Sequence, residues 1–273
     1  MKPRDLISIL GIKPKPVKYG LEINSFEFAG DGRIEYAQWL HPAESKKEIS
    51  QSAVDELRKF ISPGAVAIDI GAHSGDSTIP MALAAGAGGC VLALEPNPYV
   101  FPVLEKNASL NSDKTNIIPL MFAATSVPGE YEFEYSDSGF CNGGLHEGIS
   151  QWRHGHSFKL KVRGENLERY LEQHHADLIS KIRYIKVDAE GYDYQILHSL
   201  GNLINRQRPS IKFEIYKHLN FEKRARLFDL LVGWDYDIFR IESESNYMGE
   251  KVTKENLTKW RHYDVFCLPR KQI

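Results

Sequence analysis

The segment Ala67-Ile-Asp-Ile-Gly-Ala-His-Ser-Gly-Asp76 decides the fold of this chain. Its first residues belong to a short apolar run, which indicates a buried strand leading into a glycine-rich turn. Gly71 and Gly75 permit a sharp turn and a close approach of the backbone to a ligand, because they carry no side chain. Asp76 or Ser77 provides an N-cap for the helix that we expect to follow. The segment therefore predicts a strand, a ligand-binding turn and a helix in succession.

Short apolar runs alternate with helical patterns over most of the chain. This alternation predicts an α/β fold with a doubly wound, mostly parallel sheet, which binds ligands beyond the carboxyl ends of its strands. The predicted strands cover residues 65–70, 90–94, 116–123, 183–187, 211–216, 236–241 and 262–268. The predicted helices cover residues 49–61, 76–85, 97–110, 193–200 and 221–232.

Residues 1–49 precede this alternation, and we predict that they form an N-terminal arm followed by a hairpin. Strands over 20–29 and 33–40 flank the turn Gly30-Asp-Gly32, whose glycines suit a tight hairpin connection. With the helix that follows it, the hairpin is an N-terminal extension that we expect to cover the ligand site. Residues 50–273 form the main domain in this prediction.

The composition is that of an ordinary globular protein, with 42% hydrophobic and 26% charged residues among 273. A net charge of −2 gives no reason to expect a nucleic acid partner. Ser77 to Leu94 carries no charged residue, but its proline and glycines divide it into a helix, a turn and a strand, which indicates core rather than a membrane span. The three cysteines cannot all pair, which favours a reducing compartment and a cytoplasmic location.

The glycine spacing and the charges near it separate two classes of cofactor. Dinucleotide folds use G-x-G-x-x-G to bring a pyrophosphate to a helix N-terminus, whereas Gly71 and Gly75 are spaced G-x-x-x-G. Asp69 stands just before this turn, where an acid attracts a cationic ligand and repels a phosphate. No Lys or Arg occurs between Phe60 and Glu105. These features favour S-adenosylmethionine, whose sulfonium and ammonium groups are positive, over a nicotinamide dinucleotide.

Further acidic positions follow the predicted strands. Glu95 ends the second of them, where a carboxylate can accept hydrogen bonds from ribose hydroxyls. The segment Tyr184-Ile-Lys-Val-Asp-Ala-Glu-Gly-Tyr-Asp193 places Asp188 and Glu190 at the end of a later strand. These carboxylates are candidates for contact with the cofactor, the acceptor or a divalent cation; the simpler alternative is that Asp188 caps the next helix. Glu214 ends the following strand and is a further candidate for this cluster.

Taken in order, four segments of the chain resemble the FkbM-type methyltransferases, and KVDAEG (186–191) is the most specific part. The resemblance implies a class I (Rossmann-like), seven-stranded methyltransferase fold. It also implies S-adenosylmethionine-dependent O-methylation of a hydroxyl on a sugar, a polyketide or another secondary metabolite. Two departures are His73, where asparagine is more usual, and residues 162–167, where a Thr-Leu-Asp run is common. The four segments are DIGAHSGD (69–76), ALEPNP with the following NASLN (93–98 and 107–111), YIKVDAEGYD (184–193) and FEIY (213–216).

The motifs and the resemblance together define the predicted site. Asp188, Glu190 and His73 are the candidate catalytic residues, since each can take up the proton of an acceptor hydroxyl. Asp69 is expected near the cationic end of the cofactor and Glu95 on its ribose. No metal ligands are predicted, and a divalent cation that acidifies the acceptor is the disfavoured alternative. The predicted cofactor contacts are Asp69, Gly71, His73, Ser74, Gly75, Asp76, Glu95, Pro96, Asn97, Ala124, Asn142 and Asp188.

The stretch from Tyr135 to Leu160 is too long for a passive connection, and its aromatic residues favour an ordered loop that packs over the site. We predict that Phe140, Asn142, Gly143 and Gly144 line the cofactor or acceptor pocket, a surface turn being the alternative. A zinc site is not indicated, because no cysteine or carboxylate at a standard spacing completes the histidines of this loop, which are His146, His154 and His156.

The predicted reaction is an in-line attack by a substrate oxygen on the methyl group of the sulfonium. Two other classes of function stay open: a catalytically inert protein that binds S-adenosylmethionine, and a nicotinamide-dependent oxidoreductase, which shares the doubly wound fold. The expected partner is a small-molecule or glycan acceptor, with no nucleic acid and no membrane span. The sequence leaves the oligomeric state open, a homo-oligomer included.

Overall fold

A computed structural model describes residues 15–135, 137–141, 143–144 and 158–270. Its strands are β1 (Leu21–Phe28), β2 (Gly32–Trp39), β3 (Val66–Ile70), β4 (Cys90–Leu94), β5 (Ile117–Leu120), β6 (Ala123–Ala124), β7 (Gly129–Tyr135), β8 (Gly143–Gly144), β9 (Phe158–Glu165), β10 (Ile182–Val187), β11 (Ser210–Ile215), β12 (Tyr236–Arg240) and β13 (Tyr263–Pro269). Its helices are α1 (Gln51–Leu57), α2 (Thr78–Ala85), α3 (Phe101–Ser109), α4 (Leu167–His174), α5 (Ala176–Ile179), α6 (Asp193–Ser199), α7 (Gly201–Gln207) and α8 (Phe221–Gly233).

The central sheet has seven strands in the order β12-β13-β11-β10-β3-β4-β5. Neighbouring strands pair in parallel except at β13, which runs antiparallel between β11 and β12. The strand order reverses between β3 and β10, so the carboxyl ends of these two adjacent strands face one crevice. The predicted seven-stranded, doubly wound α/β fold is therefore confirmed.

The strands beside this crevice are apolar over their whole length, because helices cover both faces of the sheet. Every residue of β3 and β4 is buried, and so is every residue of α2. The uncharged stretch after Ser77 thus supplies core structure, as predicted. No helix in the described ranges is long and apolar enough to cross a membrane.

A second, four-stranded sheet has the order β6-β9-β7-β8 and was not predicted from the sequence. β7 and β9 pair antiparallel and carry exposed charged residues, such as the ion pair between Lys161 and Glu130, which dilute the apolar signal of a strand. The predicted strand over 116–123 is wrong in its extent. β5 ends at Leu120, and the chain then leaves the central sheet so that β6 can pair with β9.

The predicted hairpin is present as β1 and β2, which pair from Leu21 and Trp39 to Phe28 and Gly32. The side-chain amide of Asn107 in α3 fastens it to the main domain. This amide accepts a hydrogen bond from the Ala37 N–H at 2.7 Å and donates one to the Ala37 carbonyl at 2.9 Å. The division of the chain at residue 50 stays a prediction.

Helix α2 follows Ser77, one of its two predicted N-cap residues, whereas α3 begins later than the predicted helix over 97–110. The Ser77 hydroxyl donates to Asp69 at 2.8 Å and makes no cap for α2. The Asn97 amide accepts from the Tyr99 N–H at 2.9 Å and donates to the Phe140 carbonyl at 2.7 Å. Both residues therefore stabilise turns around the crevice rather than helix ends.

Candidate active site

A cavity of about 440 Å³ opens at the carboxyl ends of β3, β4 and β10. Residues 44–48, between β2 and α1, contribute to one wall, and residues of β6, β7 and β8 contribute to another. The predicted site residues that line this cavity are Gly71, His73, Asp76, Glu95, Pro96, Ala124, Asp188 and Glu190. Four predicted cofactor contacts are absent from the cavity wall, namely Asp69, Ser74, Gly75 and Asn97, and Asn142 lies outside the described residues.

Gly71 brings the turn after β3 against the end of β10. Its φ is +79°, and a Cβ at this position would lie 2.1 Å from the carbonyl oxygen of Asp188. The N–H groups of Gly71 and Ala72 both donate to the Leu94 carbonyl, at 3.1 and 2.9 Å. Because only glycine fits this conformation and this space, the turn can hold the ends of β3, β4 and β10 together.

Asp69 is fully buried and is enclosed by donors from the protein itself. The Ser77 and Thr78 hydroxyls donate to one carboxylate oxygen at 2.8 and 2.7 Å, and Lys186 Nζ donates to the other at 3.1 Å. Lys186 Nζ also donates to the Gly71 carbonyl at 3.2 Å. The structure thus assigns Asp69 an internal role in holding Lys186 and the turn, whereas its predicted contact with the cationic end of the cofactor stays a prediction.

Glu95 ends β4 as a buried carboxylate that faces the cavity. One oxygen accepts the His73 N–H at 2.9 Å and the other accepts the Asn97 N–H at 2.8 Å. Burial raises the pKa of the Glu95 carboxyl, although His73 and the two N–H groups favour its charged form. Each oxygen can accept a second hydrogen bond, so the geometry suits a pair of ribose hydroxyls.

His73 adopts a left-handed backbone conformation with φ of +50°. Its ring meets Trp39 edge-on at 5.6 Å, and its Nε2 lies 3.9 Å from a carboxylate oxygen of Glu44. This buried nitrogen has no hydrogen-bond partner among the described residues. Ser74 instead hydrogen-bonds the hydroxyl of Tyr36 at 2.7 Å, behind the cavity wall. An unpaired polar atom at the wall is a natural contact for a polar ligand.

Asp188 and Glu190 lie on a turn that follows the end of β10 at Val187 and precedes the start of α6 at Asp193. The Asp188 side chain is 46% exposed, and one carboxylate oxygen lies 3.5 Å from Lys186 Nζ. Glu190 has φ of +51° and hydrogen-bonds the Tyr216 hydroxyl. Burial and the neighbouring Asp188 raise the pKa of the Glu190 carboxyl.

A family model described as the methyltransferase FkbM domain matches residues 69–249, which cover the glycine-rich turn and the Asp188 turn. The chain belongs to the FkbM methyltransferase family. Membership makes it an S-adenosylmethionine-dependent methyltransferase with the class I fold, as predicted. No curated protein matches the chain in sequence.

Solved structures similar to this FkbM family member are distant in sequence. The FkbM methyltransferase of Methylobacillus flagellatus KT is 14% identical, with 78% of this chain and 50% of that chain covered and a TM-score of 0.43. An O-methyltransferase from Bacillus cereus in complex with SAH is 14% identical, with 83% and 84% covered and a TM-score of 0.45. A putative rRNA methylase from Clostridium thermocellum is 11% identical, with 84% and 99% covered and a TM-score of 0.46.

The cavity of this FkbM methyltransferase fits S-adenosylmethionine on three structural grounds. Gly71 leaves no side chain between the turn and the end of β10, and Glu95 has acceptor capacity for a ribose. The unpaired His73 nitrogen offers a further polar contact. Glu95 and His73 would hold the cofactor, which supplies an activated methyl group when it is bound.

Two further acids of this FkbM family member, Asp193 and Glu214, lie near the Asp188 turn. From the sequence, Asp193 was given no role and Glu214 was only a further candidate for the acid cluster. Asp193 is fully buried and accepts the N–H groups of Ala189 and Gly191 at 3.3 and 3.1 Å. Burial, followed by the charge of Asp188, raises the pKa of Asp193 to about 8. Burial and the same neighbour raise the pKa of Glu214 to about 7, while an ion pair with His262 opposes this shift.

The loop after β7 contacts the site only partly as predicted. Gly143 lines the cavity, whereas Phe140 is buried behind it and stacks on Tyr99 at 4.5 Å. Cys141 also lines the cavity, and its thiol donates to Glu44 at 3.5 Å. Burial and the Glu44 charge raise the pKa of Cys141 to about 12, so the thiol is neutral.

Glu44, His73 and Cys141 place three metal-type donor atoms within 4.8 Å of one another. The Cys141 thiol already donates to Glu44, and Lys47 Nζ lies 3.1 Å from the other oxygen of that carboxylate. Cys141 and Glu44 therefore have protein partners, whereas His73 Nε2 has none among the described residues. Residues 44–48 were missed because the segment has no helix or strand period that would direct attention to it.

Proposed function

We propose that the protein transfers the methyl group of S-adenosylmethionine to a hydroxyl of a small-molecule or glycan acceptor. The observation that supports this is the placement of Asp188. Its carboxylate is half-exposed in the cavity wall, and its backbone carbonyl faces Gly71 of the glycine-rich turn. A carboxylate at this position can accept the proton of a hydroxyl as the oxygen attacks the methyl group.

The geometry favours Asp188 over the other two catalytic candidates. The backbone N–H of His73 donates to Glu95, and the His73 ring contacts Trp39 and Glu44. These contacts place His73 on the ribose side of the cavity. Glu190 retains a proton more readily than an ordinary carboxyl, because its pKa is raised by burial and by Asp188. We therefore assign Asp188 as the general base that takes the proton. Glu190 is assigned as a hydrogen-bonding contact for the substrate that receives the methyl group.

Lys186 supports this assignment because it lies between the glycine-rich turn after β3 and the Asp188 turn after β10. Its ammonium group contacts Asp69, the Gly71 carbonyl and the Asp188 carboxylate at 3.1, 3.2 and 3.5 Å. Burial alone would lower the pKa of Lys186, but Asp69 and Asp188 raise it above its ordinary value. The fixed cation thus orients the Asp188 carboxylate relative to the glycine-rich turn, and alignment of this kind contributes strongly to methyl transfer.

A methyl-transfer assay tests the proposal. Purified protein and S-adenosylmethionine would be incubated with sugars, glycans and polyketide-type alcohols, each paired with an analogue that carries an amine in place of the hydroxyl. We expect a mass gain of one methyl group on the hydroxyl compounds only. Transfer to the amines alone would refute O-methylation, and cofactor binding without transfer to any member of a broad panel would favour the inert binding protein.

We also propose that the reaction takes place in a reducing compartment, the cytoplasm. All three cysteines are free and buried, and they lie in separate parts of the fold. Free thiols are typical of proteins in reducing compartments, whereas disulfides are typical of proteins in oxidising compartments. Immunofluorescence of a tagged chain at native abundance would check this location, and a secreted product would contradict it.

A further inference from the structure

Lys47 belongs to the segment between β2 and α1, which lies outside the residues matched by the family model. Its backbone N–H donates to the side chain of Gln38 at 2.8 Å, and that buried amide also donates to the Ser45 carbonyl at 3.3 Å. These bonds hold the segment against the cavity without a helix or a strand. Lys47 Nζ lies 2.9 Å from Asp76 and 3.1 Å from Glu44.

The cofactor's methionine end carries a carboxylate as well as an ammonium group. A carboxylate that gives up part of its hydration in this cavity needs a cation or several donors, because the loss of hydration is costly. Among the described residues, the side chains that line the cavity and can carry positive charge are those of Lys47, His73, Lys186 and Lys212.

Three of these four groups are poorly suited to the carboxylate. Lys186 already has three oxygen neighbours for its three N–H donors. Lys212 pairs with Asp264 at 3.2 Å and lies on β11, two strands from the glycine turn, or about 10 Å at the usual strand spacing. His73 is charged only when it is protonated. Lys47 is a permanent cation, and it contacts Asp76 in the glycine-rich turn itself.

We propose that Lys47 binds the carboxylate of the cofactor's methionine moiety. Asp76 and Glu44 hold the ammonium group of Lys47 beside the glycine-rich turn. This inference rests on S-adenosylmethionine as the cofactor. It means that the N-terminal extension completes the cofactor site, which the matched domain alone leaves without this cation. Asp76 supports the arrangement: burial raises its pKa, but Lys47, together with His73 and Lys186, outweighs burial and holds the pKa below its ordinary value.

The test compares, by calorimetry, the affinities of the protein for two ligands whose sulfur atom carries no charge. S-adenosylhomocysteine contains the amino-acid end, and 5′-methylthioadenosine lacks it. We expect Lys47→Met to weaken S-adenosylhomocysteine binding roughly tenfold or more, since a charge-assisted hydrogen bond is lost, and to change 5′-methylthioadenosine binding less than about twofold. Lys212→Met is the matched control, and it should leave both affinities near the wild-type values.

Lys47→Arg keeps the charge and should retain most of the selectivity for S-adenosylhomocysteine, even if Lys47→Met folds poorly. An equal loss for both ligands in Lys47→Met would show that Lys47 acts only through the architecture of the segment and would overturn the proposal. Unchanged binding in Lys47→Met, or a selective loss in Lys212→Met, would also overturn it. Failure of the wild-type protein to bind either ligand would instead refute the cofactor on which the proposal depends.

Discussion

At the scale of single residues, Asp188 is the group whose removal should separate catalysis from cofactor binding. Asp188→Asn preserves the shape of the side chain but cannot accept the acceptor's proton. We expect turnover to fall roughly 10²-fold or more, as is typical when a general base is lost, while the affinity for S-adenosylhomocysteine changes less than about threefold. Steady-state kinetics and calorimetry measure the two quantities separately.

Gln195→Ala is a suitable comparison, because this half-buried residue of α6 lies near the same turn but has no assigned role in the reaction. Turnover near the wild-type value in Asp188→Asn would exclude Asp188 from the mechanism. The same assays with a chelator address the disfavoured divalent cation: a wild-type rate that falls on chelation and returns with added metal would favour metal-assisted acidification over a carboxylate base.

Residue-level roles could be predicted from the sequence only where position alone implies them. Glu95 was identified because an acid at a strand end has a known use, and the structure places it in the cavity wall. Lys186 lay inside the most specific motif and was given no role, because the three oxygens that it joins come from positions 69, 71 and 188. Contacts of this kind depend on strand register, which the motif spacing does not encode.

At the scale of elements, the close approach of the β3 turn to β10 makes a quantitative prediction about two glycines. Gly64 and Gly71 have nearly the same φ, +83° and +79°, but a Cβ at Gly64 would meet no atom within 4 Å. We expect Gly64→Ala to lower the free energy of unfolding by about 1 kcal/mol, the low end of the cost of a left-handed backbone conformation. Gly71→Ala should cost roughly 1–3 kcal/mol more, because its Cβ overlaps the Asp188 carbonyl.

Chemical denaturation of the two variants and the wild type measures this difference. Equal destabilisation of Gly64→Ala and Gly71→Ala would show that the two turns do not approach as closely as described. Gly71→Ala should also weaken S-adenosylhomocysteine binding, because the Asp188 turn must move to relieve the overlap. Gly64→Ala should leave that affinity unchanged, since Gly64 lies outside the cavity wall.

The sequence predicted the buried elements well and the half-exposed elements poorly. β3, β4, β10 and β11 are apolar enough to stand out, and each lies close to its predicted range. β7 and β9 alternate charged with apolar residues, and Lys–Glu pairs hold their outer faces together, so neither has a strong apolar run. Residues 44–48 have no regular structure, so their place at the cavity follows from tertiary contacts alone.

At the scale of the whole molecule, the charges form two populations with opposite effects on stability. Cations lower the pKa values of Asp31, Asp76 and Asp237, so the stability from these pairs is already complete above the ordinary carboxyl pKa of 3.8. In the other population, burial raises the carboxyl pKa values. This population consists of Glu95, Glu168, Glu190, Asp193 and Glu214.

The second population predicts that the folded state loses stability between pH 6 and pH 8. In the unfolded chain these carboxyls are ionised by pH 6, whereas in the folded chain Asp193 and Glu214 release their protons only near pH 8 and pH 7. In the folded state these two carboxyls therefore bind more protons across this interval, and their contribution to stability falls as the pH rises. We expect the Tm to decrease by at least about 2–4 °C, the change that 1 kcal/mol produces in a chain of this size. Calorimetric scans at constant ionic strength measure it, and Asp193→Asn combined with Glu214→Gln should flatten the dependence. A Tm that rises from pH 6 to pH 8 in the wild type would contradict the raised pKa values of Asp193 and Glu214.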